Sequence, residues 1–472
     1  MSPPRSEDSK AFKKISFEFG GYKLRYAWVS QRGYYPEDLD KANQDQHAEF
    51  DNFGMSSKSD SWKNHKEADK DAGIEDCHFF GVFDGHGKTG DKCAIFARDH
   101  LPQRLVEELS TRADAVKTPG TCTNAIKDAY KAAFTSVNQM LHDDNIDDTM
   151  SGTTAICALF VRGSLYVANV GDSRAIIGEE TNMKLIAKPL SVDQTPFRKD
   201  ERERCKLKHA VVANMDQMDG LEEMHESWQE ATDGDEDDDT GDPPRIWLKD
   251  KMLPGCAFTR SIGDSIGESV GVFAEPEVEV RDLKSQDKYV ILASDGVWEF
   301  LTNQTVLNMV MAYKSPLKAC KAVVNESYKL WLQYDVRTDD ITMIAIYLEE
   351  MAGIDAAHVA ESATISNDAK NADTPAKRIS LRELRRKSSA PAKPIMPTGV
   401  TKQSQEEEIK AVRRVMTKEK KRMVRPPRPN VAPMPAPVRP RCSCVVRSHR
   451  YIYFRRSSSR ARARPRTTNT PR

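Results

Sequence analysis

The stretch FFGVFDGHGKTGDK, residues 79–92, joins an apolar run to an acidic, glycine-rich turn. The run Phe79–Phe83 predicts a buried strand, and Asp84 follows directly at its end. Glycine beside the acid lets the backbone approach a ligand closely, so this strand would deliver a carboxylate to a metal ion. The alternative is an ordinary Asp-Gly turn. The choice depends on whether other strands end in the same way.

A nucleotide-binding loop is the other candidate for this turn. Gly87, Lys88 and Thr89 match the end of a P-loop, whose backbone N–H groups and lysine surround phosphates. That motif needs a glycine five residues before Gly87, where this chain has Val82. A β-branched residue cannot let the backbone wrap around a phosphate as glycine does, so the pattern argues against nucleotide binding.

Three further apolar runs carry an acid at or beside one end, namely Asp172 in VGDSR, Asp295 in ASDGVW and Asp339 in TDDITMI. Strand ends gathered at one edge of a sheet would bring these carboxylates together with Asp84. Like charges this close cannot all stay ionised without cations between them. Oxygen ligands, with no thiolate or histidine cluster nearby, favour Mg²⁺ or Mn²⁺ over zinc. The sequence therefore predicts a metal site for hard ions.

Strand-like and helix-like patterns alternate as far as about residue 348. Strands are predicted at 79–83, 155–161, 165–170, 289–294 and 341–347. Helices are predicted at about 92–110, 124–141, 302–313 and 316–333. The segment at about 197–246 interrupts this rhythm with a charged, helix-like start and an acidic end, which predicts a solvated surface insertion. These patterns indicate one domain of mixed strands and helices over residues 20–348, after an N-terminal extension of residues 1–19.

The formal net charge is zero, but it is unevenly distributed along the 472 residues. Residues 351–472 contain 29 Lys or Arg against 9 Asp or Glu, so a tail of +20 follows a body of −20. Few aromatic residues occur there, and we expect residues 349–472 to be a disordered basic tail with one transient helix at 404–425. No apolar run approaches ~18 residues, which predicts no transmembrane segment. The nine cysteines form no even framework and no secretory leader is seen, so the sequence predicts a cytoplasmic and/or nuclear location.

The ordered motifs of this chain resemble those of the metal-dependent serine/threonine protein phosphatases, the type 2C or PPM family. The similarity spans residues 20–348, and the NQD variant with its long insertion is most similar to plant and protist members. The motifs that carry it are RGYYPEDLDKANQD (32–45), FGVFDGHG (80–87), SGTTA (151–155), VANVGDSRA (167–175), AFTRSIGD (257–264), ASDGVWEFL (293–301) and TDDITMI (338–344).

The resemblance implies an α+β fold, a four-layer αββα sandwich with two central β-sheets. It implies hydrolysis of phosphoserine and phosphothreonine in proteins by a metal-activated water at a binuclear Mn²⁺/Mg²⁺ centre, with a third, weaker ion beside Asp172. Asp84 would bridge both ions and the Gly85 carbonyl would ligate one of them. The remaining roles implied are Asp295 and Asp339 as ligands of the other ion, Asp45 as a residue holding metal-bound water, and His86 as the general acid.

Two departures from the family pattern affect the site. Many members have Glu-Asp where this chain has Gln44-Asp45, which replaces a charged, partly water-mediated metal contact by a neutral one. The arginine that binds phosphate in the family normally precedes this pair by a few residues. Here Lys41 is nearest and Arg32 lies further back, so either could contact phosphate, Lys41 without the bidentate fork of arginine.

The basic tail offers several sites at which partners could bind. A catalytically weak, phosphatase-like scaffold would bind partners through its basic tail, although the intact acids argue for an enzyme acting on phosphorylated proteins. The tail sequences AKRISL and RRKSSA place Ser380 and Ser388 after two basic residues and a spacer, a pattern that basophilic kinases read. The arginine-rich end would also suit an anionic partner such as RNA or a membrane surface.

Overall fold

The computed structural model describes residues 15–19, 21–51, 53, 77–118, 120–225, 228 and 242–350, the first of these ranges by its backbone alone. Several expectations lie outside the described residues: most of the N-terminal extension, the acidic run before Asp242, the tail beyond Glu350, Ser380, Ser388 and the helix at 404–425. None of the described helices has the length and apolar character to cross a membrane.

Sixteen strands are found in the described residues. They are β1 (Ile15–Phe19), β2 (Tyr22–Gln31), β3 (Asp45–Phe50), β4 (Cys77–His86), β5 (Gly152–Thr153), β6 (Ala155–Val161), β7 (Ser164–Val170), β8 (Arg174–Thr181), β9 (Lys184–Pro189), β10 (Val211–Ala213), β11 (Arg245–Trp247), β12 (Pro254–Cys256), β13 (Ile262–Gly263), β14 (Glu277–Asp282), β15 (Asp287–Ala293) and β16 (Ile341–Glu350).

The same residues form nine helices. They are α1 (Gly90–Thr111), α2 (Ala113–Lys117), α3 (Cys122–His142), α4 (Lys199–Leu207), α5 (Met215–Met218), α6 (Ser265–Glu268), α7 (Asp295–Trp298), α8 (Asn303–Met311) and α9 (Pro316–Tyr334). Helix α9 begins at Pro316, whose missing N–H costs nothing in the first turn, as the sequence predicts.

Two large sheets pack face to face. One has the order β1-β2-β16-β15-β8-β9, and the other β13-β5-β4-β6-β7-β14 with β3 also paired to β4. Helices α1 and α3 cover the outer face of the β4 sheet, and α8 and α9 cover that of the β16 sheet. This arrangement confirms the four-layer αββα sandwich.

Strand β6 shows why the central runs are apolar throughout. Successive side chains of a strand point to opposite faces of its sheet. Ile156, Ala158 and Phe160 lie in the core between the two sheets, whereas Cys157 and Leu159 pack against the α1–α3 layer. Because both faces are buried, neither can be polar, and the strand reads as a continuous hydrophobic run.

The insertion at about 197–246 is more ordered than the sequence predicted. Its described parts form α4, β10, α5 and the start of β11, and β10, β11 and β12 make a third, small sheet. A separate apolar core fills this region, made of Cys205, Val212, Ile246, Cys256, Phe258, Val270 and Val272. The expectation of a wholly solvated insertion was therefore wrong for these residues, because apolar side chains scattered along the sequence meet there.

Candidate active site

The acids named from the sequence meet at one edge of the sandwich. Asp45 begins β3 and is paired directly with Asp84 near the end of β4, in the antiparallel register of one sheet. Asp295 follows the end of β15, and Asp339 precedes β16, in the other sheet. A hydrogen bond of 2.8 Å from Ser294 Oγ to Asp45 Oδ2 joins the two sheets at this edge.

The carboxylates of this acid cluster (Asp45, Asp84, Asp172, Asp295, Asp339) lie close enough to perturb one another. Burial raises the pKa of Asp84 well above its usual range. The neighbours that raise this pKa further are, in decreasing order, Asp45, Asp295, Asp339 and Asp172. Such mutual repulsion is what the sequence predicted for strand ends gathered at one edge.

Two other members of the cluster show the same effect. Burial raises the pKa of Asp45 to about 8, and the charge of Asp340 adds to the rise. Burial also raises the pKa of Asp295 well above its usual range, and the charges of Asp339 and Asp172 raise it further. Without a cation, the cluster can keep its negative charges only at a large energetic cost.

The donor set fits hard divalent cations. Asp45 Oδ1 and Asp295 Oδ1 are buried, and neither has a hydrogen-bond partner among the described residues. Buried carboxylate oxygens normally find such a partner, so these two atoms are suited to a cation. A Cβ on Gly85 would lie 2.2 Å from the Gly90 carbonyl oxygen, so only glycine fits at this close approach beside Asp84.

Asp340 has a structural role. Its Oδ1 accepts a 2.6 Å hydrogen bond from the Gly33 amide, and its Oδ2 accepts one of 2.8 Å from the Gln44 amide. Burial raises its pKa to about 6, and the charge of Asp339 adds to this. Asp340 thus fastens the segment 32–45 to the start of β16.

The two candidate phosphate-binding cations differ in their surroundings. Lys41 places its ammonium 3.6 Å from the centre of the Tyr35 ring, and the Tyr35 hydroxyl donates a 2.9 Å hydrogen bond to Asp339 Oδ1. The charge of Lys41 also opposes the rise in the pKa of Asp340 that burial and Asp339 cause. Arg32 instead donates from one guanidinium nitrogen to the carbonyl oxygens of Leu39 and Lys41, at 2.8 and 3.0 Å.

Gln44 braces the turn that follows Asp84. Its side-chain Nε2 donates a 2.9 Å hydrogen bond to the Gly87 carbonyl oxygen, and its backbone carbonyl oxygen accepts a 3.1 Å hydrogen bond from the Gly85 amide. A Cβ on Gly90 would lie 2.6 Å from the same Nε2. The neutral amide therefore fills a site that requires a donor.

His86 ends β4 beside the acid cluster. Its Nε2 lies 2.5 Å from Asp264 Oδ2, and its ring centre lies 4.3 Å from that of Phe258. The charge of His86 opposes the rise in the pKa of Asp172, which burial and the charge of Asp193 bring to about 6. The histidine thus lies near the carboxylates and is fixed by a buried acid.

Arg174, in the motif that contains Asp172, forms an ion pair with Asp193. Its Nε and one terminal nitrogen donate to the two oxygens of Asp193 at 2.9 and 2.7 Å. Next to it, the Ser173 hydroxyl lies 2.7 Å from that of Thr154. Thr154 Oγ1 in turn accepts a 3.1 Å hydrogen bond from the Asp84 amide, which links two motifs distant in sequence.

A second group of carboxylates, Asp200, Glu201 and Glu277, lies elsewhere in the fold. Arginines already neutralise it. Arg198 pairs with Asp200 and Glu277, and Arg260 donates a 2.7 Å hydrogen bond to Glu201. These pairs connect helix α4 to the body of the sandwich, and they explain this grouping without a cation.

Sequence reasoning missed several residues that shape the site. Tyr35 and Ser294 contact Asp339 and Asp45, and Thr154 contacts the backbone of Asp84. All three lie inside the motifs that the sequence analysis singled out. Their position next to the acids was visible in the sequence, but their partners were not.

Comparison with known proteins agrees with this geometry. A family model described as Protein phosphatase 2C matches residues 40–330. The chain belongs to the protein phosphatase 2C family. Probable protein phosphatase 2C 35 of Arabidopsis thaliana is 42% identical over 349 residues, which cover 74% of this chain and 90% of that protein. Probable protein phosphatase 2C 75 of Oryza sativa subsp. japonica is 31% identical over 325 residues, 61% of this chain and 68% of that one.

A solved structure supports the fold of this phosphatase 2C chain. The crystal structure of serine-threonine phosphatase 2C from Toxoplasma gondii covers 71% of this chain and 99% of its own, with a TM-score of 0.53 and 17% sequence identity. From its family the chain is a protein serine/threonine phosphatase, a hydrolase that depends on metal. Phosphorylated proteins are its substrate class.

Proposed function

We propose that this phosphatase hydrolyses phosphoserine and phosphothreonine side chains at the acid cluster, using two Mn²⁺ or Mg²⁺ ions. The observation that carries the proposal is the convergence of five aspartates from both sheets on one edge, with two buried carboxylate oxygens left without a hydrogen bond among the described residues. Negative charge gathered in this way is stabilised by divalent cations with oxygen ligands.

The carboxylates divide into four groups by their expected contacts. Asp84, paired across the sheet with Asp45, would contact both ions, and the Gly85 carbonyl would contact one. Asp295 and Asp339 would hold the other ion, Asp45 would act through water, and Asp172 would serve a third, weaker ion. When bound, the ions supply positive charge to the phosphoryl oxygens and make a water molecule more acidic.

The remaining groups of this chain bind and protonate the substrate. Lys41 is the cation that binds a phosphoryl oxygen, since it lies against Tyr35 beside Asp339. Arg32 holds the loop that carries Lys41 by donating to its carbonyl oxygens. His86 gives a proton to the departing serine or threonine oxygen, which is a poor leaving group as an alkoxide.

Release of inorganic phosphate from a phosphothreonine peptide tests this function. We expect the full chain to turn over the peptide with Mn²⁺ or Mg²⁺ and to stop in EDTA, because the acids cannot bind a phosphoryl group without cations between them. Restoring excess Mn²⁺ after EDTA is the control for irreversible damage. Undiminished turnover in chelator would contradict the proposal, and a folded chain without turnover in either ion would favour the scaffold alternative.

A further inference from the structure

The contact between His86 and Asp264 is built from two parts of the chain. His86 lies at the end of β4, and Asp264 lies just after β13. The distance from His86 Nε2 to Asp264 Oδ2 is 2.5 Å, and the two side chains are 16% and 3% exposed. A short hydrogen bond to an almost fully buried carboxylate holds the imidazole ring in one orientation.

The Asp264 carboxylate is itself held in place. Ser261 Oγ donates a 2.7 Å hydrogen bond to the same oxygen that contacts His86, and the Asp264 amide donates to the Ser151 carbonyl oxygen at 3.0 Å. Asp264 also has φ 52° and ψ 52°, a left-handed conformation that is uncommon outside glycine. Surrounding structure must maintain such a conformation, and it often does so at functional sites.

The space around the pair admits no further side chain. A Cβ on Gly152 would lie 2.3 Å from Asp264 Oδ2 and 3.0 Å from His86 Nε2. On another side, the Phe258 ring packs 4.3 Å from the centre of the imidazole. Gly152 and Phe258 thus confine the ring, and the hydrogen bond to Asp264 places Nε2 against the carboxylate.

This arrangement decides which ring nitrogen can reach a substrate. Because Nε2 is occupied by Asp264, the remaining nitrogen, Nδ1, is the one available to give a proton. We infer that Asp264 is a positioning residue for proton donation, which holds His86 so that Nδ1 serves the departing serine or threonine oxygen. This inference rests on the proposed function and adds to it the orienting partner of the acid.

The phosphorus–oxygen ester bond breaks, and the oxygen of the attacking water becomes the fourth oxygen of inorganic phosphate. The proton on His86 Nδ1 moves to the serine or threonine oxygen as it leaves. One proton of the water passes to solvent, and a solvent proton restores the ring. Asp264 retains its contact with Nε2 and exchanges no atom with the substrate.

The test compares two leaving groups in the full chain at saturating Mn²⁺. A phosphothreonine peptide releases an oxygen that needs a proton, whereas p-nitrophenyl phosphate releases a stable phenolate that needs none. We expect Asp264→Asn to lower kcat for the peptide about 10- to 100-fold more than for the aryl ester. Asn tolerates the left-handed conformation of Asp264 as Asp does, so this variant preserves the backbone.

A similar Asp–His pair in the same region provides the matched control. Asp148 Oδ2 contacts His142 Nδ1, neither residue belongs to the acid cluster, and Asp148 is also buried. Asp148→Asn should lower the thermal midpoint without changing the ratio of the two rates. Ser261→Ala removes only the hydroxyl that donates to Asp264. It should shift the ratio of the peptide rate to the aryl ester rate in the same direction as Asp264→Asn, but by less. This second variant tests the inference if Asp264→Asn does not fold.

A double-mutant comparison shows whether Asp264 acts through His86. His86→Ala should lower the peptide rate selectively, and adding Asp264→Asn should cause little further loss, because residues that act as a unit are not additive. In the metal-free protein, nitrogen-15 NMR should show a protected His86 Nε2 proton that exchanges faster in Asp264→Asn, because a neutral amide oxygen is a weaker acceptor than a carboxylate.

Failure of the positioning role and failure of the proposed function give different results. Equal losses for both substrates in folded Asp264→Asn, or losses that multiply in the double variant, overturn the positioning role while leaving the proposed function intact. Absence of turnover of either substrate by the unmodified chain in Mn²⁺ overturns the proposed function and the inference together.

Discussion

Single neutral groups decide which oxygen atoms of the acid cluster remain free for cations. Ser294 donates to one oxygen of Asp45 and leaves the other without a partner in the described part of the chain. Tyr35 likewise donates to one oxygen of Asp339. Because each donor uses one lone-pair site, it orients the carboxylate and directs its other oxygen. The hydroxyls thus shape the site without contributing charge.

Gln44→Glu separates two roles of residue 44, the hydrogen bond to the turn after Asp84 and any contact with a cation. Its Nε2 donates to the Gly87 carbonyl oxygen, so a carboxylate there would lose that bond and face another acceptor. We expect the metal-free protein to lose about 1–3 kcal/mol of unfolding free energy in urea. If the added charge reaches a cation, the Mn²⁺ concentration for half-maximal rate should fall in the same variant.

Gln44→Leu is the matched control, because it removes the donor without adding charge. It should lose similar stability and gain nothing in its metal requirement. An unchanged or poorer metal requirement in Gln44→Glu would show that the carboxylate does not serve the cations.

The acids could be predicted from the sequence, whereas their partners could not. Asp84, Asp172, Asp295 and Asp339 stand at or near strand ends, three of them next to glycine, so local pattern is enough to single them out, whereas Asp45 followed only from the family resemblance. The partners lie far away along the chain, since Tyr35 is 304 residues from Asp339, and His86 is 178 residues from Asp264. Only the folded topology brings such residues together.

At the level of elements, strands buried on both faces were the most predictable part. The prediction of 155–161 coincides with β6, and 165–170 differs from β7 by one residue. Helix α4 was also predicted as a charged, helix-like segment, but its buried contacts were not. Glu201 accepts a hydrogen bond from Thr259 and pairs with Arg260, in the motif that leads to Asp264.

Glu201→Gln tests how helix α4 supports that motif. Burial acts to raise the pKa of Glu201, but hydrogen bonds from Arg260 and Arg204 outweigh it and lower the pKa to about 2. The ionised group therefore stabilises the fold above its ordinary pKa of 4.5, and this stability is lost as the pH falls toward 2. Because the variant removes the carboxylate that pairs with Arg204 and the shorter of the two ion pairs of buried Arg260, we expect a loss of about 3–5 kcal/mol at pH 7.

Urea unfolding at pH 7 and pH 3 measures this effect, and the difference from the unmodified chain should narrow at the lower pH. Glu203→Gln, on the exposed side of the same helix, is the control and should change stability by less than about 0.5 kcal/mol. Equal effects of the two variants would show that the buried pairs do not hold α4 in place.

The whole molecule combines an acidic body with a basic tail, −20 against +20. The opposite charges should attract at low salt and hinder substrate entry. We predict that deleting residues 352–472 raises the rate of phosphopeptide hydrolysis at low ionic strength, and that the difference vanishes near 1 M salt, where the Debye length is about 3 Å.

Phosphorylation of Ser380 or Ser388 would add about −1.5 to −2 charge and should raise the rate in the same direction as the deletion. Identical rate constants of full-length and truncated chains at low salt would exclude regulation by charge. The tail would then serve partner binding or localisation.

The central claim is that the acid cluster binds the metal ions. Calorimetric titration of the metal-free full chain with Mn²⁺ tests it most directly, because this experiment measures ion binding without any substrate. The unmodified chain should bind two ions tightly, and Asp84→Asn should abolish this tight binding and lower the phosphopeptide rate about 10²-fold or more. Asp200→Asn, in the arginine-paired group, should bind Mn²⁺ as the unmodified chain does. Equal Mn²⁺ binding by Asp84→Asn, or a loss in Asp200→Asn instead, would contradict the assignment of the metal centre to this edge of the sandwich.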